Sequence, residues 1–177
     1  MALQEDLDYR VGRANPLQRL TQRIASSRPG AWIFARAAHR LDGLVLRVSG
    51  GRSTMAGFVA GIPVVTVTTT GRRSGVPRTM PLLGVPIEGD LALVGTNFGQ
   101  AAMPAWYLNL VADPHATVTS RDRTVAVTAR EATPGERAEV LATAARIYPG
   151  YDRYRERITG RAIPVLVLGS APGDREG

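Results

Sequence analysis

A turn crowded with guanidinium groups is the strongest chemical feature of the chain. The block Thr68-Thr69-Thr70-Gly71-Arg72-Arg73-Ser74-Gly75-Val76-Pro77-Arg78 runs a β-branched segment into two glycines, three arginines and a serine. Turn amides can converge into an anion-binding nest, and arginine adds charge-assisted hydrogen bonds to phosphate or carboxylate. Gly-Arg-Ser turns are also common on plain surfaces, so the block alone leaves both readings open. Further on, Val94-Gly95-Thr96-Asn97-Phe98-Gly99 ends an apolar run in small and polar residues, where backbone can approach a flat ligand closely. In Pro104-Ala105-Trp106-Tyr107-Leu108-Asn109-Leu110, Trp106 and Leu110 share one helical face and read as core, whereas Tyr107 and Asn109 are placed to reach polar ligand atoms. Tyr148, Tyr151 and Tyr154 recur every third residue around Pro149-Gly150, either as a wall of a site or as packing tyrosines.

Several chemistries are excluded or disfavoured. Every basic residue is Arg, so lysine Schiff bases, lysine general bases and a P-loop lysine are absent. There is no cysteine, hence no disulfide or thiol chemistry, and two histidines, His39 and His115, leave little for a transition metal. His115 follows Asp113-Pro114 in a loop and reads as a surface residue. Neither a G-x-G-x-x-G fingerprint nor a G-x-S-x-G elbow occurs. Genome composition accounts for Arg in place of Lys. It does not account for a net charge of +7, which suits a polyanionic partner.

The elements that must position these residues can be placed by periodicity. Residues 1–15 read as a loose polar tail. Two helical patterns fill 16–50, one through Leu17, Leu20 and Ile24, the other through Ile33, Ala37, Leu41, Leu44 and Val48, interrupted at Pro29-Gly30. Beyond them the strands begin: Pro63–Thr70, Arg78–Pro86 and Leu91–Thr96, the last two joined by a Glu88-Gly89-Asp90 hairpin. A helix is expected over Ala101–Val111, then a hairpin of Ala116–Ser120 and Thr124–Arg130. Thr133-Pro134-Gly135-Glu136 carries an N-cap, an N1 proline and a capping box for a helix to about Tyr148. A short Tyr-rich segment and a last strand, Ile163–Leu168, follow. Strands joined by tight turns, with few helices between them, point to an antiparallel barrel in one α+β domain over 51–170, with a C-terminal tail at 171–177.

Three motifs in order and in register, TTTGRRSGVPRTMPL, VGTNFG and PAWYLNL, resemble the deazaflavin-dependent nitroreductases and quinone reductases. IYPGYDRY and RAIPVLVL extend the resemblance, which runs from about Trp32 to Leu168. These are actinobacterial proteins that use reduced coenzyme F420, so the resemblance implies a single-domain antiparallel split β-barrel with flanking helices. It also implies hydride transfer to a quinone-like, nitroaromatic or other electron-poor acceptor. Arg72, Arg73 and Ser74 would hold the phosphate and the acidic tail. Arg78, Thr79, Met80, Pro81, Leu82 and Leu83 would line the ring and ribityl chain. Val94, Gly95, Thr96 and Asn97, with Ala105, Trp106, Tyr107, Leu108 and Asn109, would complete the pocket. Tyr151 would hydrogen-bond the acceptor or cofactor, with Tyr148 and Tyr154 as walls. The chain departs from some members at Asn97 and Phe98, where they carry Lys and Gly, which shifts tail binding onto Arg72 and Arg73.

The alternatives are a split barrel holding FMN, or a non-catalytic protein that binds F420, another small molecule or a polyanion. No metal and no nucleic-acid partner are expected, since no nucleic-acid motif accompanies the charge. A homodimer is open, as is contact of the basic N-terminal helix with a membrane. The N-terminus carries no signal-peptide pattern. The expected location is cytoplasmic, with the inner face of the cell membrane as its variant.

Overall fold

The computed structural model describes residues 2–12 and 64–171. The expected helical segment at 16–50 and the terminal residues 172–177 lie outside the described residues. Within them one antiparallel sheet contains β1 (Val64–Thr70), β2 (Pro77–Leu83), β3 (Val85–Ile87), β4 (Asp90–Val94), β5 (His115–Ser120), β6 (Arg123–Glu131) and β7 (Val165–Ser170). Its helices are α1 (Leu3–Asp6), α2 (Ala105–Ala112), α3 (Pro134–Ile147) and α4 (Gly150–Arg157), with a 3₁₀ turn at Asn97–Gly99.

The hydrogen-bonded order is β2-β1-β5-β6-β7-β4-β3. β2 and β3 therefore occupy opposite edges, yet only Gly84 separates them in the chain. The sheet has to roll until its edges meet, which makes it a barrel. Closure is confined to that junction. β3 pairs with β4 from Val85↔Ala92 to Ile87↔Asp90, and among the described residues β2 pairs with β1 alone. On the other side of Gly84, the outer edge of β2 and the last residues of β4 border an unbonded seam. Exposure rises along β2, from half-buried Leu83–Met80 to exposed Thr79–Pro77, as the seam opens. The expected single strand Arg78–Pro86 is thus two strands. Gly84 is required at the bend because a Cβ there would lie 2.9 Å from the Tyr9 hydroxyl oxygen, which donates to the Gly84 carbonyl.

The sheet is buried on both faces along β4 and β7. Val65, Val67, Leu91, Leu93, Val118, Val127, Leu166 and Leu168 fill the barrel. Val85, Ala92, Val94, Val165 and Val167 lie on the opposite face, packed with Val140 and Ala144 of α3 and the tyrosines of α4. β4 and β7 accordingly read as unbroken apolar runs rather than as alternation.

Strand register puts the β1–β2 turn, the end of β4 and the starts of β5 and β7 at one end of the barrel. Trp106 and Leu110 of α2 contribute to the core cluster there. The β3–β4 and β5–β6 hairpins mark the other end, where the N-terminal residues dock. Residues 2–12 are not the loose tail expected. Leu3 and Leu7 are fully buried in the barrel core and Tyr9 is 8% exposed. Gln4 N donates to Gly89 O (3.0 Å), Arg121 Nη1 meets Asp8 Oδ2 (2.8 Å) and Ser170 Oγ donates to Asp6 Oδ2 (3.3 Å). Two leucines one helical turn apart, each contributing about 1.5–3 kcal/mol on burial, outweigh the polar character of the segment.

Local chemistry decides the other boundaries. Thr133 Oγ1 accepts from Glu136 N while the Glu136 carboxylate accepts from Thr133 N, completing the predicted capping box. α2 begins at Ala105 rather than Ala101, with Pro104 extended in the N-cap position. The Tyr-rich segment is itself helical, because α4 buries Tyr151 and Tyr154 on one face and leaves Asp152, Arg153, Arg155 and Glu156 in solvent.

Candidate functional site

The arginine turn is held by a buried amide. Asn109 of α2, 7% exposed, donates through Nδ2 to Thr69 Oγ1 (3.0 Å) and accepts through Oδ1 from the backbone N of Arg72 (3.2 Å). Thr69 Oγ1 in turn donates to Arg78 O at 3.4 Å. One side chain thereby ties α2 to the end of β1 and the first turn residue. The turn amides do not form the nest that its composition allows. Arg72 N is taken by Asn109, and Ser74 N and Gly75 N both go to Gly71 O (3.1 and 2.7 Å). The groups this turn leaves exposed for an anion are its side chains. Gly71 has no alternative, since a Cβ would lie 2.8 Å from Val76 O and 3.3 Å from Arg78 Cγ. Its bareness lets the Arg78 stem lie against the turn. All three arginines are exposed, and among the described residues no carboxylate forms an ion pair with them.

Across the seam lies the segment after β4. Gly95, Thr96 and Gln100 present their carbonyls to Arg161, whose Nη1 reaches Gly95 O (3.1 Å) and whose Nη2 reaches Thr96 O (3.3 Å) and Gln100 O (2.9 Å). Burial lowers the affinity of this guanidinium for its proton. Asn97 Nδ2 donates to Ala102 O (3.0 Å), so this side chain serves the loop itself. Asn97 (φ 46°) and Phe98 (φ 55°) are both left-handed, a conformation that costs on the order of 1–3 kcal/mol at a non-glycine residue. Arg161 opens the RAIPVLVL segment of the resemblance, which assigns it no role. Its role follows from carbonyls that meet only in the fold.

The remaining candidates divide. Trp106 is core, as read. Tyr107 donates its hydroxyl to Glu131 Oε1 at 2.7 Å, which raises the phenol pKa. Asn109 likewise has both polar atoms engaged within the protein. Ala105 is exposed and Leu108 half-buried. Tyr148, Tyr151 and Tyr154 come together on the outer face of the sheet, ring centroids 5.9–6.5 Å apart. The Tyr148 and Tyr154 hydroxyls bond each other (3.2 Å), while no hydrogen bond joins the Tyr151 hydroxyl to another described residue. Burial, reinforced by the neighbouring phenol, pushes the Tyr151 pKa up and keeps it a neutral donor. Phe98 packs edge-on to Tyr154 at 6.3 Å, linking this cluster to the seam.

A family model for F420H(2)-dependent quinone reductases matches residues 38–170. The chain belongs to this family. The reductase is therefore an F420-dependent oxidoreductase, and the FMN alternative gives way to coenzyme F420. It is 30% identical over 113 residues to a Mycobacterium tuberculosis protein provisionally named an F420H(2)-dependent quinone reductase, a match covering 64% of this chain and 94% of that one. Among solved structures, an F420-H2 dependent reductase (FDR-A) superposes with a TM-score of 0.55 at 37% identity, over 60% of this chain and 93% of its own. Another, described as a domain-swapped dimer, does so with 0.57 at 32% identity, over 72% and 96%. These likenesses agree with the split barrel derived from the strand order. The family match begins at residue 38, so α1 and Tyr9 complete the barrel of this reductase from outside the matched region.

The residues present suit the cofactor. Its phosphodiester and γ-glutamyl tail need cations, and three exposed guanidiniums stand on one turn. Its flat ring needs an apolar, close-approach surface, and the edge of β2 that is unpaired among the described residues, with half-buried Met80, Pro81, Leu82 and Leu83, offers one. No cluster of metal-binding side chains occurs among the described residues, and no helix among them is long and apolar enough to cross a membrane.

Proposed function

We propose that this reductase passes a hydride from reduced F420 to a quinone-like acceptor, with nitroaromatic and other electron-poor compounds as further substrates. The seam between β2 and the 95–100 loop is the binding cleft in this reading. The observation that carries it is the set of three exposed guanidiniums, Arg72, Arg73 and Arg78, at the mouth of the seam and without carboxylate partners among the described residues.

Bound F420H2 supplies the hydride, so the protein's work is binding, orientation and proton supply. Arg72, Arg73, Ser74 and Arg78 hold the anionic part. Thr79 to Leu83 line one side of the ring, Val94 to Asn97 the other, and α2 between Ala105 and Asn109 braces both. Tyr151, a neutral phenol with no partner among the described residues, donates a hydrogen bond to the acceptor oxygen or to a cofactor carbonyl, with Tyr148 and Tyr154 fixing its surroundings. A second copy of the chain is a natural partner, given the swapped dimer formed by a similar protein.

Fluorescence titration of F420 with the native chain and with an Arg72→Ala/Arg73→Ala variant tests the cleft. Loss of two charge-assisted contacts should weaken binding by about 100-fold or more. Equal affinity of the two proteins would remove the turn from the site, and no binding by the native chain would remove the reading altogether.

A further inference from the structure

Phe98 is a residue whose placement the fold goes to some length to maintain. Its backbone is left-handed (φ 55°, ψ 25°), although phenylalanine gains nothing from that conformation. Its side chain remains 40% exposed, the largest exposed apolar side chain among the described residues. Nothing about this is loose. The carbonyls on both sides of it are held by Arg161, Gly99 N donates to Thr96 O at 2.9 Å, and Gln100 N donates to Asn97 O at 3.0 Å. Behind it the buried ring of Tyr154 packs edge-on. At Gly99 a Cβ would meet the Arg157 side chain at 3.2 Å, so α4 closes over the loop and leaves the phenyl ring its outward course. An exposed aromatic ring in a costly conformation, fixed on every side but one, is the mark of a residue kept for contact.

We infer that Phe98 is a specificity-determining residue that offers its ring face to planar, electron-poor acceptors. The inference rests on the proposed reading of the seam as the cleft. Phe98 directly follows Asn97, the last residue of the segment that the proposed reading sets along one side of the ring, so its exposed ring borders the place where an acceptor would stack. The face of a phenyl ring carries partial negative charge, and the ring of a quinone or nitroarene is depleted of electrons, so the two favour offset stacking. A small or aliphatic residue at this position would leave acceptor size and shape unselected.

The test pairs Phe98→Leu with the native protein, each loaded with oxidised F420, and measures menadione binding by calorimetry. The F420 dissociation constant, the melting temperature, and KM for menadione against KM for 1,4-benzoquinone complete it. Loss of stacking should raise the menadione Kd and KM roughly five- to tenfold, with less effect on the single-ring quinone. F420 affinity and melting temperature should be unchanged. An unchanged menadione Kd, or no menadione binding by the native protein, overturns the inference. A parallel loss of F420 affinity or of thermal stability also overturns it, by making Phe98 a cofactor or structural residue. Failure of the seam itself shows separately, as loss of F420 binding by the native chain.

Discussion

Asn109 reaches from α2 to the backbone of Arg72, its Oδ1 accepting the Arg72 amide at 3.2 Å while its Nδ2 donates to Thr69. The amide thus sets where two cationic side chains leave the turn, although its own polar atoms are spent inside the protein. Asn109→Leu should leave the Arg72 N–H without its partner and the Thr69 hydroxyl with only its bond to Arg78 O, costing about 1–3 kcal/mol for a group that water cannot reach. Urea denaturation reads that loss. The accompanying result is weaker F420 binding, by about tenfold, in a variant that removes no charge; equal affinity would show that the turn keeps its shape unaided.

Leu7 is fully buried although it sits ahead of the family-matched region. Leu7→Ala should cost about 2–5 kcal/mol, the range for a core leucine truncated to a methyl. For a domain of this size, each kcal/mol lowers Tm by roughly 2–4 °C. Calorimetry of Leu7→Ala beside Val11→Ala, an exposed position in the same segment, separates a core contribution from general disturbance of the N-terminus.

Glu136 should appear in the acid limb of stability. Its bond to Arg130 (2.5 Å) first, and its capping bond from Thr133 N (2.8 Å) next, pull its carboxyl pKa down to about 2. The folded value lies below the unfolded one, so the contribution is fully present above the ordinary carboxylate range near 4.5 and disappears as pH falls toward 2. Glu136→Gln should reduce stability at neutral pH and flatten the decline over that window. Chemical denaturation at several pH values between those limits decides it; an identical slope in both proteins would place the acid sensitivity elsewhere.

Arg161 holds three carbonyls of the 95–100 segment in a fork that an ammonium cannot reproduce. Arg161→Lys keeps the charge and should still release the loop. Faster amide exchange at Gly99 and Gln100, whose N–H groups bond within that loop, is the expected signature. Exchange in β1 and β5, away from the fork, should not change.

Much of this molecule follows from neighbours in the chain. The β-branched run before Gly71, the Glu88-Gly89-Asp90 hairpin and the Thr133–Glu136 capping box are short-range chemistry, and each sits where local pattern places it. So does the clustering of Arg72, Arg73 and Arg78, because a tight turn leaves those side chains few other places to go. The absence of Lys and Cys and the charge of +7 narrow the chemistry through composition alone. What only the tertiary structure decides spans long intervals: Asn109 and Thr69 are 40 residues apart, Arg161 and Gly95 66, Tyr9 and Gly84 75. No periodicity encodes such pairs, because each partner satisfies a polar group or a cavity that exists only once the sheet has rolled. The polar-looking N-terminus becomes core for that reason, and Tyr107 and Asn109 find hydrogen-bond partners in Glu131, Thr69 and Arg72. Local sequence supplied the cations and the strands; closure of the barrel at Gly84 decided which strand edge is left unpaired among the described residues.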